Sequence, residues 1–278
     1  MIIWICTDME GIAGIDSWDQ CYHPDDNAPE YLYGREQLTA EVNAAAAGCF
    51  DAGATEVRVI DGHGRNRNRG FIQEKLDPRI KRVWFSSFTP IRFEGLDESV
   101  HAVAMIGQHA MAGTLHAFID HTQVPKEICR FRINGQEHGE MSQFALYAGA
   151  YWVPLVYVSG DEALCEEARR LFPHVRCTPT KRGTGWATCE LYPPDEVRER
   201  IRHDIAEAVR WMMHLNRDAA EAALALGVRA VTDITGFGLL GHATEMAEAS
   251  GVTLVIDAGR VPLMAGAERY ASQWIFPG

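Results

Sequence analysis

Two acidic residues, Asp8 and Glu10, follow an apolar run from Ile2 to Thr7, with Gly11 behind them. Asp61 and His63 follow a second run, Thr55 to Ile60, and His109 follows another, Val103 to Ile106. Carboxylate oxygen and imidazole nitrogen together suit a hard or borderline divalent cation. Zinc accepts both and, in catalytic sites, keeps a position open for water. More candidate ligands than one ion needs point to two ions bridged by a carboxylate, about 3.5–4 Å apart in hydrolases of that type. Asp8 and Glu10 lie two residues apart, so on an extended segment they share a face. Each residue alone has a plainer explanation, since an Asp after a strand commonly closes an Asx-turn or caps a helix. Only their joint placement at strand ends gives the set weight.

The elements that must hold these residues follow from the pattern around them. The short, continuous apolar run at 2–7 fits a strand buried on both faces. Strands are also expected at 55–60, 82–85, 103–106, 128–133, 153–158 and 174–178. The Ala-rich stretch 36–51 reads as helix, stopped at Asp51-Ala-Gly53 by a C-cap glycine. Further helices are expected at 140–150, at 161–171 and from Pro194 to about His214. In the last, Val197, Ile201, Ile205, Val209 and Met212 mark one apolar face. Asn134-Gly135 is a turn signal. Strands alternating with helices predict an α/β fold, a mostly parallel central sheet with helices on both faces. In such sheets ligands bind beyond the carboxyl ends of the strands, where Asp8, Glu10, Asp61, His63 and His109 fall.

Bulk properties exclude several alternatives. The 278 residues allow one large domain or two smaller ones. The net charge of −12 and pI near 5.4 disfavour nucleic acid as a partner. The seven cysteines include no Cys-x-x-Cys pair, and an odd, scattered set fits small buried side chains in a reducing cytoplasm. No run approaches the ~18 apolar residues of a membrane span, and the apolar run at 2–7 has no basic residues before it and is too short for a signal peptide, so a soluble, cytoplasmic protein is expected.

Several segments, in order, carry a family resemblance. Thr7-Asp8-Met9-Glu10-Gly11 resembles the Ser-x-Asp-x-Glu-Gly signature of the D-aminopeptidases, a zinc metallopeptidase family of the dipeptide-transport-operon type. Asp61-Gly62-His63, Gly107-Gln108-His109-Ala110, Gly113-Thr114, His121-Thr122, Asn134-Gly135 with Gly139-Glu140, and Val158-Ser-Gly-Asp161 continue it. The match covers residues 1 to about 210. It implies two zinc ions: Asp8 bridging, Glu10 and His63 completing one site, His109 and Glu140 the other. It implies His121 as the catalytic histidine, with His116 the alternative, since both follow Gly113-Thr114. The implied activity is hydrolysis of small peptides, with a D-residue at the N-terminus, by a homo-oligomer. Arg65, Arg67 and Arg69 could meet a peptide carboxylate, although a solvated loop is the plainer reading.

The last stretch is different. Ala230-Val-Thr-Asp-Ile-Thr-Gly-Phe-Gly-Leu-Leu-Gly-His242 resembles an internal piece of selenophosphate synthetase. The resemblance implies a role in magnesium and phosphate binding for Asp233. A Gly-rich turn opening a helix can bind phosphate, but a tight turn alone also explains Gly236-Phe-Gly238. The resembling piece lacks the half of that family that carries its ATP-binding residues. The expected layout is a metallopeptidase-like catalytic domain at 1–212 and a smaller, partial selenophosphate-synthetase-like α/β segment at 213–278, joined near 210–216. Two other readings stand beside a peptidase: a phosphate- or nucleotide-binding fragment, and an inactive chimera.

Overall fold

The computed structural model describes residues 1–63, 69–84, 94–213, 217–232 and 238–261. The chain divides into two units, Met1–Met213 and His214–Gly278.

The first unit is built on β1 (Ile2–Thr7), the strand from which the others are placed. A short helix α1 (Trp18–Cys21) and the long α2 (Pro29–Asp51) lead to β2 (Glu56–Asp61), β3 (Ile80–Val83) and β4 (Ala102–Gln108). A two-residue pair, β5 (Arg132–Ile133) and β6 (Gln136–Glu137), precedes α3 (Glu140–Gly149). Then come β7 (Leu155–Asp161), α4 (Glu162–Leu171), β8 (Arg176–Gly185), β9 (Thr188–Leu191) and α5 (Pro194–Met213). The main sheet has the order β3-β2-β1-β4-β7-β8-β9. Every neighbouring pair is parallel except β8–β9, an antiparallel hairpin at one edge.

Strand alternation feeds two cores. Ile3 and Ile5 pack with Leu38 and Val42 of α2 and with Val197, Ile201, Ile205 and Val209 of α5. Trp4 and Cys6 point the other way, against Met141 and Ala145 of α3 and Leu164 and Ala168 of α4. Both faces of the sheet are thus covered, which is why β1 and β4 are apolar up to their last residues, Thr7 and Gln108, rather than alternating.

This order creates a switch point. From β1 the chain moves outward through β2 and β3, then returns to lay β4 on the other side of β1. Crevices open beyond the carboxyl ends of strands at such a reversal. Asp8 and His109 are the first residues past β1 and β4. The two ends are laced together: Asp8 N–H donates to Ile106 O at 2.8 Å and Gly11 N–H to Gly107 O at 2.9 Å. A Cβ on Gly11 would collide with the Gln108 carbonyl. Gly107 has φ +72°, the left-handed region, and a Cβ there would meet the Asp8 carbonyl.

Several boundaries differ from expectation. Helix α2 begins at Pro29, whose fixed φ and missing N–H suit a first-turn position. It ends as expected, with Gly53 at φ +95°. Only Arg132–Ile133 of the expected 128–133 strand pairs, around the Asn134-Gly135 turn, where both residues have positive φ. The β9 strand was not anticipated, because Thr188–Leu191 is short and half-exposed. No helix among the described residues is long and apolar enough to cross a membrane.

The described residues of the second unit form α6 (Arg217–Ala225), α7 (Gly238–Ser250) and a single 3-10 turn at Ala258–Arg260. Leu240, Ala243 and Ala247 of α7 line a shallow groove with Val252, Leu254 and Ile256. Asp233 and the residues up to Phe237 lie outside the described residues.

Candidate metal centre

Two groups of potential ligands meet at the switch point. Asp8, Glu10 and His63 form one, with one donor atom from each within 4.8 Å of the others, and His109, His121 and Glu140 form the second. They are joined by Asp8: its Oδ2 lies 3.5 Å from His109 Nε2, which is 3.4 Å from Glu140 Oε1. His121 Nε2 lies 3.6 Å from the same Glu140 oxygen, and His63 Nε2 lies 3.1 Å from Glu10 Oε1. The His109 and His121 rings stack with centroids 3.8 Å apart. The structure therefore brings together all six residues named from the resemblance. His116, the alternative to His121, is exposed at positive φ and lines a separate cleft with Leu115, Glu162 and Arg182.

Each side chain is aimed by its backbone. His109 Nδ1 lies 3.0 Å from Ala110 O, and His121 Nδ1 lies 2.9 Å from Ile119 O. A carbonyl can only accept, so each ring carries a proton on Nδ1 and turns Nε2 to the cluster. That is the arrangement a hydrogen bond from the far ring nitrogen imposes on metal-binding histidines. His109 Nε2 is buried and makes no hydrogen bond. An orphaned imidazole nitrogen facing two carboxylates is what a cation would satisfy, so the residues present fit a metal. Glu140 opens α3, and its Oε1 also accepts from Gln123 N at 2.7 Å.

The electrostatics carry the same signature. Burial and the neighbouring Glu10 raise the Asp8 carboxyl well above its usual range. Glu10 is equally buried, but His63 outweighs that burial and holds it low. Burial pulls the His63 and His109 imidazoles down, yet the surrounding carboxylates win; His63 is pushed up to about 9 and His109 also rises. His121 goes the other way, lowered by burial and then by His109. Three carboxylates crowded against three imidazoles form a site with much to gain from a divalent cation.

Asp61 does not join the cluster. Its two oxygens accept from His63 N (3.3 Å) and Gly70 N (2.7 Å), closing the turn after β2. Arg69 donates to Pro24 O at 3.1 Å and pairs with Asp26, so it braces a loop; Arg65 and Arg67 lie outside the described residues.

The supporting layer escaped the sequence reading. Lys181 on β8 is fully buried, and its Nζ donates to the carbonyls of Glu10 and Ile15, both at 2.6 Å. Thr180 Oγ1 donates to Gly11 O at 2.6 Å. Glu41, also fully buried, accepts from Ala13 N at 2.9 Å and from Ser159 Oγ at 3.1 Å. Ser159 Oγ in turn receives Gly107 N–H at 3.1 Å. These bonds fix the 8–15 loop and the end of β4 from behind. Glu41 did leave a signal, for it stands on the apolar stripe of α2, three residues from Leu38 and four from Ala45. A carboxylate there needs partners.

A mostly parallel α/β sheet carrying carboxylates and imidazoles at its switch point defines the class: an α/β protein with a candidate metal centre. The comparisons narrow this class. The family model for D-aminopeptidases, Peptidase_M55, matches residues 1–237. The D-aminopeptidase of Bacillus subtilis is 32% identical over 210 residues, covering 76% of this chain and 74% of that protein. The solved structure of the Zn-dependent D-aminopeptidase DppA from the same organism, a self-compartmentalizing protease, superposes with a TM-score of 0.67. It is 30% identical and covers 78% of this chain and 75% of that one. The chain belongs to the D-aminopeptidase family and is a peptidase. A second similarity is partial: selenide, water dikinase 2 of Peptoclostridium acidaminophilum is 55% identical over 71 residues. Those residues are 26% of this chain and only 20% of that protein.

Proposed function

We propose that the chain is a dinuclear zinc aminopeptidase acting on small peptides, D-configured at the N-terminus. The observation that carries this reading is the orphaned His109 Nε2 between Asp8 and Glu140, beside a second ligand group at Glu10 and His63. Asp8 would be shared, Glu10 and His63 would complete one site, and His109 and Glu140 the other. When bound, zinc supplies Lewis acidity, which makes water a nucleophile at neutral pH and polarises a carbonyl. The Zn-dependent relative supports zinc as the metal.

The protein's own groups do the rest. Asp8 receives Met9 N–H on Oδ1 at 3.0 Å and turns Oδ2 towards His109. His121 is the proposed reacting histidine. With Nδ1–H tied to Ile119 O, and with burial and then His109 favouring the neutral ring, its Nε2 faces Glu140 as the acceptor. It can take a proton there and pass it to the leaving amine. Burial of the cluster strengthens each of these interactions.

The proposed layout is a catalytic domain at 1–212 and a partial selenophosphate-synthetase-like segment at 213–278. The protein would act in the cytoplasm as a homo-oligomer, an assembly suggested by the self-compartmentalizing relative. The test is hydrolysis of D-Ala peptides by the zinc-loaded protein and by Asp8→Ala. Activity that vanishes in the variant is expected; equal activity removes the proposal. The 55% identity to a selenide, water dikinase favours a second reading, phosphate or nucleotide binding by the C-terminal segment. Saturable ATP–magnesium binding lost in Asp233→Ala would support it, and no binding would end it.

A further inference from the structure

Helix α4 carries a carboxylate where its pattern calls for an apolar side chain. Its other buried residues are Ala163, Leu164, Cys165 and Ala168, and Glu167 stands on the same face, 5% exposed. A carboxylate taken out of water must be held by partners. Glu167 Oε2 accepts from Met111 N at 2.9 Å. Its Oε1 is buried and makes no hydrogen bond. Met111 is two residues past His109.

That unpaired oxygen lies against a second ligand-bearing segment. A Cβ on Gly139 would stand 2.9 Å from Glu167 Oε1 and 2.9 Å from Met111 Cβ. Gly139 precedes Glu140 at the N-cap of α3, with φ −82°, a value open to any residue. Crowding rather than conformation therefore keeps this position a glycine. The segments that carry His109 and Glu140 thus meet at one point, with the Glu167 carboxylate seated on the junction. Burial raises this carboxyl, opposed first by the Met111 bond and then by the charge of His109, so the group feels the centre. Lys181 reaches the Glu10 side from β8; Glu167 reaches the His109 side from α4.

We propose that Glu167 is a positioning residue for the second half of the centre. By holding Met111 and abutting Gly139, it sets the spacing of His109 and Glu140 that a cation requires. This rests on the metal reading of the centre and names what fixes one of its two ligand pairs. Glu167 touches neither ion nor substrate in this role; it acts through the backbone beside two ligands. Removing its carboxyl frees the Met111 N–H and opens a void against Gly139, so the two segments can part. The effect is local: Glu10 and His63 keep their places.

The test titrates the full, metal-free chain with zinc in competition with a chelator. The wild type is expected to take up two ions. Glu167→Ala should bind the first as the wild type does and the second about 10–100-fold more weakly. Glu167→Gln keeps an oxygen for Met111 N–H and should recover most of that affinity. A second readout needs no metal: with histidine isotope-labelled for NMR, the ring signals of His109 should shift in Glu167→Ala and return in Glu167→Gln. Those of His63 should stay in place in both. Should Glu167→Ala not fold, Glu167→Asp, one methylene shorter, carries the same prediction. A folded variant that binds both ions as the wild type does, with His109 signals unmoved, overturns the proposal. So does an equal weakening of both ions, since Glu167 would then serve the fold at large. If the wild type takes up one ion or none, the two-ion reading fails, and the ring signals alone decide the positioning role. A His109 shift reversed by Glu167→Gln then supports it, and unmoved signals end it.

Discussion

At the scale of single residues, a buried ring nitrogen that makes no hydrogen bond yet faces two carboxylates says more about this protein than any motif. His109 Nε2 is buried, aimed by Ala110 O, and faces Asp8 and Glu140. The residues that hold the loops matter nearly as much. Lys181→Met leaves the Glu10 and Ile15 carbonyls unpaired, at about 1–3 kcal/mol for each buried orphan. We expect that variant to fold with lowered stability and to lose about 10–100-fold in zinc affinity, the usual effect of removing an outer-shell partner; competition with a chelator measures it. Glu41 yields a pH prediction. Burial pushes its carboxyl up to about 7, above the unfolded value near 4.5, against the bonds from Ala13 and Ser159 and the charges of Lys181 and Arg198. Between those values the native state holds more protons than the unfolded chain, so stability falls as pH rises from about 4.5 to 7. Denaturant midpoints across that range should decline in the wild type and flatten in Glu41→Gln. An identical slope in both would clear Glu41 of the effect.

At the scale of elements, the strand ends were legible and the supports were not. Ile2–Thr7 and Val103–Ile106 announced themselves as continuous apolar runs because both faces of β1 and β4 are covered. Asp8, Glu10, His63 and His109 then followed from the rule that ligands bind at carboxyl ends. Glu140 and His121 came only through the resemblance. Glu140 opens a helix and His121 lies in a loop, so neither follows a strand of the sheet. Lys181 was hidden for a different reason: it lies within β8, 171 residues from the Glu10 carbonyl it holds, and spacing carries no trace of that contact. Asp61 was a sound candidate from its position but serves the turn. The start of α4 illustrates how one capping residue can serve two purposes. Asp161 caps the helix through Leu164 N (2.8 Å) and also receives Phe118 N–H (2.8 Å), steadying the loop before His121. Asp161→Ala should cost about 1–2 kcal/mol for the cap alone and lower kcat through a misplaced His121. Thermal unfolding and single-turnover kinetics separate the two effects.

At the scale of the whole molecule, all six residues of the candidate centre lie within Met1–Met213, the first of the two units. A chain ended at Met213 should therefore still bind zinc and gain stability from it, by about 2.7 kcal/mol at 100 times the Kd. A truncated chain that folds but gains nothing from zinc would show that the second unit is needed for the site. The tail's likeness to part of a selenide, water dikinase was plain from one Gly-rich run, because such runs are dense in constrained positions. In the proposed centre two ions share Asp8. Anomalous diffraction at the zinc edge from crystals of the zinc-loaded protein tests it most directly. Two peaks about 3.5–4 Å apart are expected, one against Glu10 and His63, the other against His109 and Glu140, with Asp8 between them. A single peak, or zinc only at an outlying group such as His203, Asp204 and Glu207 on α5, would contradict it.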